Sequence, residues 1–158
     1  MRERTWALAT AVLLLGAAGA RADTVTDWNV IAIRATETAG APVPVQTRAM
    51  SLVHAAVFDA VNAIEPRYAS YAVEVRPAAA ASADAAAAAA AHGILERLYP
   101  LQKPIHDAAL ATSLAKIPDG AERAQGVRLG QEVAERYFAM RRDDGPAVPA
   151  MRTASSSS

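Results

Sequence analysis

A chain of 158 residues is long enough for one domain with a real core and too short for two comfortable ones. Apolar residues make up 53% of it, but Ala supplies much of that share and aromatics only 5%, which favours closely packed small-residue helices over a sandwich rich in Val, Ile and Tyr. Sixteen basic and sixteen acidic residues balance without a Lys/Arg cluster, which argues against a nucleic-acid partner, and the absence of cysteine excludes thiolate catalysis, Cys-ligated zinc and disulfides.

Met1 to Ala22 has the three parts of a secretory signal. Arg2 and Arg4 stand at the front, an apolar run extends from Trp6 to Ala20, and Ala20-Arg21-Ala22 forms a small-x-small cleavage site before Asp23. The run of fifteen residues is shorter than the ~20 needed to span a bilayer. Cleavage after Ala22 and a secreted or periplasmic product are expected. The mature chain then keeps 13 basic and 15 acidic residues, a net charge near −2.

The mature part reads as one helical domain over 23–145. Trp28, Ile31 or Ala32, and Ala35 recur at helical spacing before Gly40 and Pro42, so a first helix spans about Asp27 to Thr38 with Trp28 as its core anchor. Pro42 and Pro44 make a rigid connection into AMSLVHAAVFDAVNAI, Ala49 to Ile64. Apolar side chains fall on every side of that helix, and a helix apolar all round must be covered all round. It is therefore expected at the centre of the molecule.

Residues 65–81 show no helical period and contain Pro66 and Pro77, so they predict a long ordered loop with Tyr68 and Tyr71 as pins and an extended piece at Tyr71 to Val75. Ser82 predicts an N-cap, with Asp84 in the first turn of an Ala-rich helix to about Leu98. The next helix covers about Leu101 to Lys116, with Leu101, Ile105, Ala108 and Ala109 as its buried stripe. Pro118-Asp119-Gly120 resets the chain. A last helix over about Ala121 to Arg142 puts Val127, Gly130, Ala134, Tyr137 and Phe138 on one face and Arg128, Glu132 and Arg136 on a solvated one. Two prolines and four terminal serines make 146–158 read as a disordered tail. The fold class is all-α, a bundle of about five helices around a buried central helix.

Chemistry is sparse. Only His54, His92 and His106 could supply imidazole, and no two share the i,i+4 spacing of a helical His pair, so no metal ligand is assigned. His54, Asp59 and Asn62 are the polar groups of the expected central helix. His54 and Asp59 stand roughly 140° apart on the wheel, so they form no ready-made dyad. They are assigned as structural polar core residues, each needing a partner because an unpaired buried polar group costs ~1–3 kcal/mol. A small enzyme built on His54 and Asp59 is the competing reading. No Gly-rich phosphate loop and no G-x-S-x-G elbow is present.

Four runs carry a family resemblance: DWNVIAIRA from Asp27, RAMSLVHAAVFDAVNAIEPRYASY from Arg48, AAAAAAAHGILERLYP from Ala85, and SLAKIPDGAERAQGVRLGQEVAERYFAMRRDDG from Ser113. Together they resemble the N-terminal region of bacterial vanadium-dependent haloperoxidase-like proteins, relatives of the type 2 phosphatidic acid phosphatases. The stretch His54 to Ile64 is the most distinctive. The resemblance implies an all-helical fold, a vanadate or phosphate anion held by Lys, Arg, Ser, Gly backbone and His, and peroxide-dependent halide oxidation or phosphoester hydrolysis.

Those anion-binding residues belong to the family's C-terminal half. The only Arg-Pro here is Arg76-Pro77, with Ala69 where the family's Lys-x6-Arg-Pro motif has its Lys, and Pro-Ser-Gly-His is absent. No catalytic, cofactor-binding or metal residue is therefore assigned, and vanadate is implied for the full-length family and not for this chain. The resemblance predicts a truncated product, inactive alone, whose partners are a missing C-terminal catalytic half or partner helices, with self-association through the bare surface. The alternative is a non-catalytic helical module that packs onto a separate partner chain.

Overall fold

The structure, a computed structural model, describes residues 20–76 and 80–141, with side chains from Thr24 onward. Five α-helices follow one another: α1 (Ala20–Thr38), α2 (Val43–Asn62), α3 (Ala83–Leu98), α4 (Lys103–Ala115) and α5 (Ala121–Met140). A 3-10 turn, Pro100–Gln102, leads into α4. No strand occurs among the described residues, and the fold is all-α. No described helix is long and apolar enough to cross a membrane. Most of the predicted leader and all of the predicted tail lie outside the described residues.

Helix α1 starts earlier than its apolar period suggested, because nothing between Ala20 and Asp27 breaks a helix. Its buried anchors are Trp28, Ala32 and Ala35, at spacings of four and three residues. Gly40 ends it with φ of +60°, a conformation suited to glycine, and the Ala41 N–H closes back onto the Thr36 carbonyl at 3.1 Å. Pro42 and Pro44 then open α2, where a missing N–H costs no helical bond.

The centre of the bundle is α3. It packs against all four other helices, most extensively α5 and α2. Every residue from Ala85 to His92 is buried, as are Ile94 and Leu95. This corrects the expectation that the His54 helix is the covered one. A helix enclosed on all sides needs small side chains where its neighbours' backbones approach, and the alanine run supplies them. The Ser82 hydroxyl caps α3 by accepting from the Ala85 N–H at 3.2 Å, and Asp84 lies in its first turn.

Helix α5 lies along α3 through Gly126 and Gly130. A Cβ at Gly130 would meet Ala89 Cβ and Ala90 N at 2.8 Å and run into the Ala86 carbonyl. Leu129, Val133, Ala134 and Tyr137 complete the buried face, while Arg136 and Glu132 pair at 2.6 Å on the outer one.

Helix α4 is turned from the expected register. Leu101 and Ile105 are 97% and 61% exposed, and the buried residue is His106. Polar contacts fix that rotation: Trp28 Nε1 donates to Ser113 Oγ at 3.1 Å, and His92 meets Asp107 at 2.8 Å. The 3-10 turn also carries Leu101 out of α4's own helical period.

Candidate functional site

Residues 65–76 and 80–81 are the described part of the predicted loop, and α2 holds it by two polar side chains. Asp59 is buried on the inner face. Its Oδ1 accepts the Tyr71 N–H at 2.6 Å; its Oδ2 accepts the N–H groups of Ala72 and Val73 at 3.1 and 2.9 Å and the Tyr137 hydroxyl at 2.7 Å. One turn on, Asn62 Oδ1 accepts from the Arg67 and Tyr68 N–H groups, both at 3.1 Å, and its Nδ2 donates to the Tyr68 carbonyl at 2.8 Å. Arg136 adds a bond from α5 to the Glu74 carbonyl at 2.7 Å.

The pins are thus the side chains of α2 acting on loop backbone. Tyr68 and Tyr71 take part through their amides while the residues are 71% and 73% exposed, which corrects their expected role. The extended piece expected at Tyr71 to Val75 forms no strand. The Tyr137 hydroxyl is pushed well above its ordinary value of 10.0, first by burial and then by its bond to Asp59.

His54 is a further correction. It is exposed on the outer face of α2 and is no partner of the Asp59 or Asn62 clamps, so the three polar residues do not converge on one centre. It lines a groove of about 430 Å³ floored by Val57, Phe58 and Val61 of α2 and walled by Val25 of α1 and by Arg67 and Tyr68 of the loop. The Phe58 and Tyr68 rings lie tilted against each other, 6.2 Å between centroids.

A second polar cluster joins α3 to α4. His92 Nε2 lies 2.8 Å from Asp107 Oδ1, and its Nδ1 lies 3.8 Å from Glu96 Oε2. Lys103 Nζ bridges the two carboxylates, at 2.7 Å from Glu96 Oε1 and 3.1 Å from Asp107 Oδ1. The Trp28 ring stands edge-on to His92, 6.4 Å between centroids. Hydrogen bonds from His92 and Lys103 hold the Asp107 carboxyl below the usual carboxylate range, and bonds to Glu96 and Asp107 raise Lys103. His106 is fully buried nearby, with no hydrogen-bond partner on either ring nitrogen. Burial, and then His92, push its imidazole down from 6.5.

No histidine pair at i,i+4 marks this cluster in the sequence. Its signal was two mixed pairs at that spacing, His92/Glu96 and Lys103/Asp107, on consecutive helices.

Three of the described cations are already matched to acceptors. An oxyanion needs several converging donors that are not already matched to carboxylates. Lys103 sits between Glu96 and Asp107, Lys116 lies 2.9 Å from Asp27, and Arg123 is held by Asp119 and by the Leu114 and Ile117 carbonyls. Comparison of the chain with protein-family models, curated proteins and solved structures returned no match.

Proposed function

We propose that the chain is the exported N-terminal helical scaffold of a vanadium-dependent haloperoxidase/acid phosphatase-like protein, inactive alone, whose bare face receives the anion-binding half. The observation that carries this reading is the outer side of α2. Beside the exposed Thr47, Ser51 and His54, Phe58 and Val43 are 38% and 73% exposed and a largely apolar groove runs along the helix. Exposed apolar side chains beside an apolar groove suit a docking surface. The four runs that resemble the family's N-terminal region support the same reading.

Two measurements test it. Sedimentation of the chain from Asp23 onward is expected to show self-association that rises with concentration and falls in a Val43→Gln/Phe58→Gln variant, both positions being exposed already. Titration with vanadate, followed by its vanadium NMR line, is expected to show no saturable uptake. Stoichiometric vanadate binding, or a monomer at every concentration, overturns the scaffold reading. Export is checked separately by the mass of the periplasmic product, expected to lack residues 1–22.

The fully enclosed α3 favours a second reading, a self-sufficient helical module that docks on a separate chain. A single cooperative melt of the monomer together with the absence of any downstream frame encoding Lys-x6-Arg-Pro and Pro-Ser-Gly-His would select it.

A further inference from the structure

Independently of that reading, we propose that His92, Glu96 and Asp107 form a site for a divalent transition-metal cation of the zinc class, with Lys103 as the resident cation that the metal displaces.

One ligand atom from each of these three residues lies within 4.8 Å of the other two. Metal–ligand bonds of ~2.0–2.2 Å set donors about 3.3–3.6 Å apart, so Asp107 opens from its 2.8 Å contact with His92 while Glu96 draws closer, both by small side-chain rotations. His92, the anchored member, is buried and set by the edge of Trp28, so its ring is oriented before any cation arrives. The carboxylates are the adaptable members, their side chains 35% and 47% exposed, and they leave the solvent side open for entry. An imidazole with two carboxylates suits zinc, cobalt or nickel; calcium and magnesium prefer oxygen donors alone.

Charge and exposure support the exchange. Two carboxylates face the Lys103 ammonium, and a divalent cation in its place matches both. Lys103 is half exposed at the end of a flexible stem and can swing into water as it is replaced.

A second observation lies beside the cluster. His106, next to Asp107 on α4, is 1% exposed, and neither ring nitrogen has a hydrogen-bond partner. It lies close enough to His92, Glu96 and Asp107 for their charges to act on it. Buried polar atoms without partners are rare and call for an explanation. A hydrated metal at the adjoining cluster offers one, because bound water donates and accepts where these side chains do not.

Titration of the untagged chain with Co²⁺, read by its visible absorption and then displaced with Zn²⁺, tests the site. One saturable equivalent is expected, weakened at least about tenfold in Asp107→Asn and in Glu96→Gln, and tightened in Lys103→Met. The three substituted positions are surface-accessible, and far-UV circular dichroism confirms that the helices persist. Histidine ring NMR of the unaltered chain is expected to place the metal-induced shifts on His92 and His106 and leave His54 unmoved. No saturable binding, affinity unchanged in both carboxylate variants, or shifts centred on His54 overturns the site. Equal affinity in Lys103→Met overturns the displacement.

Discussion

A carboxylate taken out of water must find donors for both oxygens, and Asp59 finds four: three loop amides and the Tyr137 hydroxyl. The side chain therefore ties α2, the loop and α5 together at one point. Truncation in Asp59→Ala leaves all four donors without that acceptor, and a loss of about 3–5 kcal/mol is expected from urea unfolding, as for a broken buried charged network. Faster amide exchange at residues 71–73 is expected in the same variant; unchanged exchange there means that the loop is held by something else. Tyr137 gives the clamp a pH signature. Its folded value stands above the ordinary 10.0, so its contribution is fully present below pH 10.0 and is lost above it, as the unfolded phenol ionises while the folded one, facing Asp59, Tyr71 and Arg141, keeps its proton. Tyr137→Phe is expected to flatten the alkaline limb of the stability curve, read as melting temperature against pH from 9 to 12.

At the level of elements, α3 and α5 are held close by the absence of side-chain atoms. In Gly130→Ala two effects oppose each other: helix propensity favours alanine by about 1 kcal/mol, while the new methyl would drive into the Ala86 carbonyl and crowd Ala89 and Ala90. The obstacle is mostly backbone, which cannot rotate away, and overpacking of this kind costs about 1–3 kcal/mol or more. Net destabilisation is expected from thermal unfolding, and a stabilised variant would show that the helices can part without cost. The same packing explains which parts of the fold were legible in the sequence. Caps and breakers such as Ser82, Gly40, Pro42 and Gly120 mark helix ends through local chemistry, and the helices followed those marks closely. Which helix is enclosed was not legible, because the alanines of α3 have little apolar bulk and become central only through the approach of neighbouring helices. The rotation of α4 was hidden for a related reason: Leu101 and Ile105 form an apolar stripe, but Ser113 and Asp107 find partners on α1 and α3. At the clamp, the polar character of Asp59 and Asn62 was visible, whereas their targets are loop amides that no side-chain pattern reports. His54 shares their helix but faces outward, a distinction that depends on where α3 lies.

Across the whole molecule, burial is unevenly shared, and local stability should follow it. Helix α3 is enclosed by four helices, and α5 lies along it over its full buried face. Helix α4 has one fully buried side chain, His106, itself without hydrogen-bond partners, and is otherwise attached through the partly buried Ala109 and Leu110, Trp28–Ser113 and the His92–Asp107–Lys103–Glu96 cluster. Opening α4 therefore exposes little apolar surface, whereas opening α3 dismantles the core. In native-state hydrogen exchange the α3 amides are expected to exchange only through global unfolding, and those of α4 through a smaller opening with a weaker denaturant dependence. Equal protection in α3 and α4 would show that the polar cluster locks α4 into the cooperative core. Helix α2 bears the proposed docking surface, since its inner face shares the core and its outer face exposes Phe58 beside His54. If an anion-binding half completes the protein, adding it is expected to slow exchange throughout α2 while leaving α4 unchanged. Protection gained at α4 instead would place the docking surface on Leu101 and Ile105 and remove the argument for the groove.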